Sequence, residues 1–322
     1  MPISRLTLAT RRSPLALRQA ESVKDALEQR HAGLRVEILA LGTTGDRLRD
    51  QPLPQIGGKV LFTKELEEAL LEGRAHIAVH SLKDLPTELS SGLVLAAVPA
   101  REDARDVLMS RGGDTLAKLP AGARIGTSSV RRAAQLRRIR PDARIEPLRG
   151  NLGTRLRKLR EGAFDAIVLA AAGLHRMGWK DQITEYLPEE VLCPAVGQGA
   201  LAIEARQEDL QTLRLLAVLE DSWARFSATA ERALLRRLGG GCQVPIAAFT
   251  ARDGNDARLT ALVIRPDGTE LVRAAERGPV KDATAAAVLG EKAAESLLRQ
   301  GAGGILESIA QTPTSLPTPQ AP

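Results

Sequence analysis

The 322-residue chain is 43% hydrophobic and 26% charged, carries a net charge of +6, and has only 2% aromatic residues and two cysteines. That length asks for two or three compact units, so few rings leave a base-stacking nucleic-acid surface little material, and two cysteines do not make the disulfide framework of a small secreted protein. The positive charge favours an anionic partner without saying which kind.

Short apolar runs alternate with helical patterns from the start. Strand-like Leu6 to Ala9 precedes the amphipathic stretch Leu15 to Gln29, then strand-like Arg35 to Leu41. A glycine- and proline-containing segment, Gly42 to Lys59, leads to a helical pattern at Thr63 to Glu72 and a strand-like run at His76 to His80. This βαβα order implies a mainly parallel sheet covered by helices. The alternation restarts with a strand near Arg124, a helix from Val130, a strand near Arg144 to Leu148, a helix from Thr154 and a strand at Ala166 to Ala170. After Pro194 a glycine turn enters the run LAIEAR, which is expected to cross back to the first unit. A helix over Ala224 to Leu238 and strands around Ala247 to Phe249 and Leu259 to Ile264 begin a third unit. The proline- and threonine-rich tail has no apolar periodicity and reads as disordered. MPISRLTLAT has no basic segment leading into an apolar stretch, and no run approaches the ~20 apolar residues of a membrane span. A cytoplasmic protein with reduced thiols is therefore expected.

Arginines and hydroxyls gather at the expected starts of helices. GTSSVRR sets Thr127, Ser128 and Ser129 between a strand and a helix whose first turn holds Arg131 and Arg132. Free N–H groups and the helix dipole make such an end an anion site; the bland alternative is a serine-capped surface helix. LRGNLGTR repeats the design with Arg149 and Arg155, while Arg157, Lys158 and Arg160 belong on the solvated face. RRSPLAL puts Arg11 and Ser13 in a strand-to-helix turn before Pro14. The guanidinium fork suits carboxylate or phosphate, and spacing does not distinguish them. In HSLKDLP an apolar run ends at Lys83 and Asp84, where ligands of open α/β sheets gather, though both also suit a simple turn.

GGGCQVPI presents Cys242 after three glycines, more than a helix cap requires, which favours a thiol shown to a ligand over the usual buried cysteine. His76 and His80 have helical metal-pair spacing, but on a strand at ~3.3 Å per residue they lie ~13 Å apart, too far for one metal. GQGALA precedes a strand instead of opening a helix, which argues against a dinucleotide site, and IGGKV lacks the other parts of a phosphate loop.

Taken in order, RRSPLAL, HSLKDLP, GTSSVRR, LRGNLGTRL, LAAAGL, PAVGQGA and GGGCQVPI closely resemble the successive motifs of the porphobilinogen deaminase family, from Arg11 to Ile246. The resemblance implies an α/β fold of three domains. Two are like the paired lobes of type II periplasmic binding proteins with the active site in the cleft between them, and a smaller α+β C-terminal domain carries the cysteine. The expected division is 1–99 for the first lobe, 100–199 for the second, 200–220 for the return to the first, 221–310 for the cofactor-anchoring domain and 311–322 for the tail.

The implied activity is condensation of four porphobilinogen molecules, with loss of ammonia, on a dipyrromethane cofactor joined by a thioether to Cys242, and release of a linear tetrapyrrole. By the same resemblance Asp84 is the catalytic carboxylate. Lys83, Thr127, Ser128, Ser129, Arg131 and Arg132 join it in holding the cofactor, while Arg11, Ser13, Phe62, Arg149, Arg155, Arg176 and Gln198 hold substrate or growing chain. Arg18, where many members have Trp, and Val60, where glycine is common, depart from the family pattern. A monomer without metal, nucleic-acid or membrane partners is expected. The competing reading is a noncatalytic two-lobed anion-binding protein, which accounts for the arginines but not for the glycine-flanked cysteine.

Overall fold

The computed structural model describes residues 4–44, 63–240 and 244–311. Most of the glycine- and proline-containing segment before Thr63, and the tail after Gln311, lie outside them. Strand β1 (Arg5–Arg11) leads through helix α1 (Pro14–Arg30) to β2 (Arg35–Leu41). Helix α2 (Lys64–Leu71), β3 (Ile77–Ser81) and β4 (Leu93–Ala97) follow. The next stretch holds β5 (Asp106–Ser110), β6 (Arg124–Gly126), α3 (Val130–Ile139), β7 (Arg144–Glu146), α4 (Leu152–Arg160), β8 (Ala166–Ala170), α5 (Ala171–Arg176) and β9 (Glu185–Leu187). The chain returns through β10 (Leu201–Arg206) and α6 (Leu210–Leu216). It ends with α7 (Ser222–Arg237), β11 (Ile246–Asp253), β12 (Asp256–Ile264), β13 (Leu271–Pro279), α8 (Ala283–Arg299) and α9 (Ala302–Gln311).

These strands form two mixed five-stranded sheets, ordered β2-β1-β3-β10-β4 and β7-β6-β8-β5-β9, and one antiparallel sheet, β11-β12-β13. In the first sheet β1 runs parallel to β2 and β3, and the LAIEAR run returns to it as expected, as β10; because β10 is antiparallel to β3 and β4, the sheet is mixed and not mainly parallel as the βαβα order implies. In the second, β6 is parallel to β7 and β8, and the entering β5 is antiparallel to β8 and β9. Each antiparallel strand is thus the one joined to a crossing between the lobes. The expected pair of lobes with a small antiparallel C-terminal unit is what the chain forms.

Period-two alternation explains how both faces of each sheet are covered. Leu6 and Leu8 of β1 face Val23 and Leu27 of α1, whereas Ala9 faces Leu66 and Leu70 of α2. In the second lobe Ile167 and Leu169 of β8 face Leu156 and Leu159 of α4, whereas Ala166 and Val168 face Leu136 of α3. The parallel strands therefore discharge at one edge of each sheet, where the loops holding Arg11, Lys83, Thr127 and Arg149 begin.

The third unit packs α7 against α8 through small residues. A Cβ on Gly290 would lie 2.1 Å from the Ala230 carbonyl oxygen and 2.9 Å from Ala233 Cβ. In an open helix, alanine would beat glycine by about 1 kcal/mol. Here the backbone oxygen cannot rotate away, and overpacking of this kind costs ~1–3 kcal/mol. Gly290→Ala is expected to lower unfolding free energy by about 2 kcal/mol, read from the chemical-denaturation midpoint; an unchanged or raised midpoint would contradict this packing.

Candidate active site

Each strand end is shaped by its own sequence. Ser13 caps α1, its Oγ accepting the Ala16 N–H at 3.3 Å, with Pro14 as the first helical residue. The α1 start faces the second lobe, since Gly173 of α5 comes close to both Leu15 and Leu152. Arg11, the last residue of β1, is half-buried there. Beyond β3 the chain makes a 3-10 turn, Leu82–Asp84, with Lys83 and Asp84 half-buried.

In the second lobe Ser129 caps α3 by accepting the Arg132 N–H at 3.4 Å, and Thr127 Oγ1 accepts the Ser129 N–H at 3.2 Å. Ser128 donates its hydroxyl to the Leu148 carbonyl at 2.8 Å. Capping serines and an arginine-rich helix start are thus present together. Asn151 caps α4 through the Thr154 N–H at 2.9 Å, which starts that helix two residues before the periodicity suggests. Gly150 makes this geometry possible: its φ is +111°, and a Cβ would meet Thr154 at 2.6 Å. Arg155 is fixed by donation from Nε to the Gly150 carbonyl at 2.8 Å. Arg157 and Arg160 are exposed as expected, whereas Lys158 is half-buried and donates to the Arg149 carbonyl at 3.4 Å.

At the centre lies a carboxylate that no motif singled out. Asp106, fully buried at the start of β5, accepts from Arg131 Nη1 at 2.7 Å, from Arg132 Nη2 at 2.7 Å and Nε at 3.0 Å, and from Gln198 Nε2 at 2.8 Å. Burial alone would raise its pKa. The two guanidiniums outweigh burial and hold the carboxyl well below the usual carboxylate range. Arg131 Nε is buried with no hydrogen-bond partner among the described residues.

Gln198 Oε1 then meets Lys83 Nζ at 3.5 Å and Arg132 Nη2 at 3.4 Å, so one amide spans both lobes. Its neighbours explain the glycines of PAVGQGA: a Cβ on Gly197 would meet Leu82 at 2.9 Å and one on Gly199 would lie 2.3 Å from the Glu102 carbonyl oxygen. These glycines serve close approach before a strand, not a dinucleotide. Arg176 donates to the Gly199 carbonyl at 2.7 Å and stands at this crossing.

Crowded cations set the electrostatics. Burial, and then Arg132, push the Lys83 amine down to about 8, against the opposing charges of Asp84 and Asp106. Burial, then Arg132 and Arg149, push Arg155 down to about 10, with Asp84 again opposing. The positive charges of Arg131 and Arg132 thus act on Lys83, and those of Arg132 and Arg149 on Arg155, with Asp84 opposing at both. A ligand bearing carboxylates would offset this repulsion.

Phe62 and Cys242 lie outside the described residues; Cys242 falls between the end of α7 and β11. Cys193 is a free buried thiol, and burial pushes it up to about 12, which leaves it an inert core residue. The two histidines of the His76/His80 pair have separate partners, the Thr7 N–H and Glu204. Among the described residues no cluster of three metal-ligating side chains occurs, and no helix is long and apolar enough to cross a membrane.

Sequence reasoning also missed Glu231 and Arg232 of α7. Glu231 is fully buried and accepts from Arg101 at 2.7 and 3.1 Å, from the Gly197 N–H at 2.7 Å and from the Thr250 N–H at 2.9 Å. Charged residues in an amphipathic helix look solvated, and only their tertiary partners reveal otherwise.

The family profile described as "Porphobilinogen deaminase, dipyromethane cofactor binding domain" matches residues 6–214, and "Porphobilinogen deaminase, C-terminal domain" matches residues 226–299. The chain belongs to the porphobilinogen deaminase family. A porphobilinogen deaminase of Syntrophobacter fumaroxidans is 50% identical over 304 residues, covering 94% of this chain and 97% of that one. One of Roseiflexus sp. is 51% identical over 301 residues, covering 94% and 98%. The VFT2 domain of Bordetella pertussis BvgS aligns over 66% of this chain and 85% of its own at 16% identity with a TM-score of 0.41, too loose to add to the strand order. Porphobilinogen deaminase activity in tetrapyrrole biosynthesis, with a dipyrromethane cofactor, replaces the alternative of a noncatalytic anion receptor.

Replacing Asp106 tests the central cluster. Asp106→Asn leaves two buried guanidiniums without their counter-charge and is expected to cost about 3–5 kcal/mol at pH 7. Because the native pKa is depressed, this stabilisation is fully present above the unfolded value of about 3.9 and is lost as pH falls below it toward the native value. Wild-type denaturation midpoints should fall more steeply than those of Asp106→Asn below pH ~4; parallel curves would contradict the assignment.

Proposed function

We propose that the cleft between the lobes is where porphobilinogen is deaminated and condensed, with Asp84 as the catalytic carboxylate and the surrounding cations as receptors for pyrrole carboxylates. The observation that carries this reading is the convergence of Lys83, Arg131 and Arg132 on Gln198 and Asp106 beside Asp84. Each pyrrole ring of substrate and cofactor carries acetate and propionate groups. Buried cations at helix starts favour such groups through Coulomb attraction in a low dielectric and through preorganised donors.

Dipyrromethane fits these residues. Guanidiniums gathered at a helix start suit carboxylates, and Arg131 Nε is a buried donor left unpartnered among the described residues. Cys242 would carry it as a thioether. Lys83, Asp84, Arg131 and Arg132 would hold it, with Thr127, Ser128 and Ser129 alongside. When bound, it supplies the nucleophilic pyrrole that primes chain growth. Arg11, Ser13, Arg149, Arg155, Arg176, Gln198 and Phe62 would receive the incoming substrate and the growing chain.

Asp84 faces the positive charge that develops on porphobilinogen as ammonia departs. A fixed carboxylate in a site shielded from water stabilises that charge without solvent reorganisation. Asp84 in turn opposes the positive charges of Lys83 and Arg155 beside it. Four such rounds would give the linear tetrapyrrole hydroxymethylbilane, which water releases. The division at 1–99, 100–199, 200–220 and 221–310, a monomeric state and a cytoplasmic location belong to the same reading.

Intact mass and peptide mapping test the anchor directly. Wild type and Cys193→Ser should carry an added dipyrromethane and turn over porphobilinogen, with the adduct on the Cys242 peptide. Cys242→Ser should have the bare chain mass and no turnover while keeping its fold, as judged by circular dichroism. An adduct on Cys193, or full activity of Cys242→Ser, would refute the anchor.

A further inference from the structure

Beneath α7 the first-lobe sheet buries two titratable side chains that the reading of the cleft leaves unused. His80 of β3 stands opposite Ala202 of β10, and Glu204 lies two residues further along β10, so all three share one face. Ala224 and Ala228 of α7 pack onto that face with Leu82, Leu85 and Ala202. His80 Nε2 is 3.0 Å from Glu204 Oε2, and the two side chains are 4% and 0% exposed. Glu204 Oε1 has no hydrogen-bond partner among the described residues. Apolar side chains of the same volume would serve packing here at least as well.

Their location supplies another role. Two residues after His80, the Leu82 N–H donates to the Ala200 carbonyl at 3.0 Å and the chain enters the turn that holds Lys83 and Asp84. At the far end of the turn Arg232 of α7, 7% exposed, donates Nη1 to the Leu85 carbonyl at 3.2 Å and Nη2 to the Pro86 carbonyl at 2.6 Å. The Glu204 carboxylate is the attractive charge for that buried guanidinium, against repulsion from Arg236 and Arg225. One carboxylate therefore acts on both anchors of the turn: on His80 by hydrogen bond before it, and on Arg232 by charge after it.

We propose that Glu204 is a positioning residue for the condensation, holding the Lys83–Asp84 turn in register with the cleft through His80 on one side and Arg232 on the other. This rests on the reading of Asp84 as the catalytic carboxylate. A shift of the turn moves Asp84 relative to the charge it stabilises, and displacements near 1 Å can cost up to about a hundredfold in rate. The pyrrole-carboxylate receptors on the second lobe stay where they are, so the loss falls on kcat.

The test is a double-mutant cycle on the full-length holoenzyme with porphobilinogen as substrate. Glu204→Gln keeps the shape and a hydrogen bond to His80 but removes the charge. It is expected to retain the cofactor mass and a KM within about twofold of wild type, while kcat falls on the order of tenfold. In an Asp84→Asn background the same substitution should cost less than about twofold, because the group it positions is already gone. Equal losses in both backgrounds, or a raised KM with kcat unchanged, would overturn the proposal. A crippled Asp84→Asn beside an unimpaired Glu204→Gln would overturn this inference alone, whereas full turnover by Asp84→Asn would overturn the reading of Asp84 and this one with it. Should Glu204→Gln yield no folded holoenzyme, Arg232→Gln loosens the other end of the turn and is expected to show the same kcat loss and the same non-additivity; a normal kcat there would overturn the proposal.

Discussion

Asp106 has to stay ionised inside the protein, and much of the cleft follows from how that is achieved. Desolvation of a carboxylate is expensive, and here it is offset by two guanidiniums and an amide drawn from different stretches of chain. Arg131 and Arg132 come from the first turn of α3, Gln198 from the second crossing between the lobes, and Asp106 from the end of the first crossing. Holding this carboxylate therefore fixes both crossings against the helix start that faces the cleft. It also sets Arg132 where its charge repels those of Lys83 and Arg155. The same interaction that organises the lobes keeps the site attractive to anions.

The third unit is fastened to both lobes by α7 and by the β12–β13 hairpin. Glu231 gathers Arg101 and Gly197, one from each crossing, while Arg232 reaches the turn after Asp84. On the other side Arg137 and Arg138, at the far end of α3, donate to carbonyls at Pro266 and Gly268 of the hairpin. Gly268, with φ +83°, permits that approach because a Cβ would lie 2.9 Å from the Ala134 carbonyl oxygen. The unit that follows α7 thus grips the Lys83–Asp84 turn of one lobe and the arginine-bearing helix of the other.

Local patterns made much of this legible. Leu6 and Leu8 against Ala9 announce a sheet covered on both faces, and LAIEAR after a glycine turn announces the returning strand. Glycine at Gly150 and hydroxyls at Ser13 and Ser129 mark helix starts, and those starts point to the anion receptors. What escaped were features whose meaning is tertiary. Asp106 opens the short strand DVLMS and resembles any strand-edge aspartate until Arg131 and Arg132 close on it. Glu231, Arg232 and Glu204 sit in patterns that suit solvated charges or plain strands. The α7–α8 contact at Gly290 likewise shows only when the two helices meet. For the residues at the strand ends the roles come from motif order, and the geometry adds which of them stand together: Lys83, Arg131, Arg132 and Gln198 around Asp106.

Lys83 reports most directly on the claim that the cleft is a preorganised receptor for pyrrole carboxylates. Its amine sits at about 8 because burial and neighbouring guanidiniums disfavour another positive charge. The measurement is an NMR titration of the Lys83 side chain in cofactor-free protein, repeated in holoenzyme. The account predicts a midpoint near 8 without cofactor and a clearly higher one with it, as bound carboxylates favour the ammonium. The same midpoint in both forms, or one near 10.4 without cofactor, would contradict it.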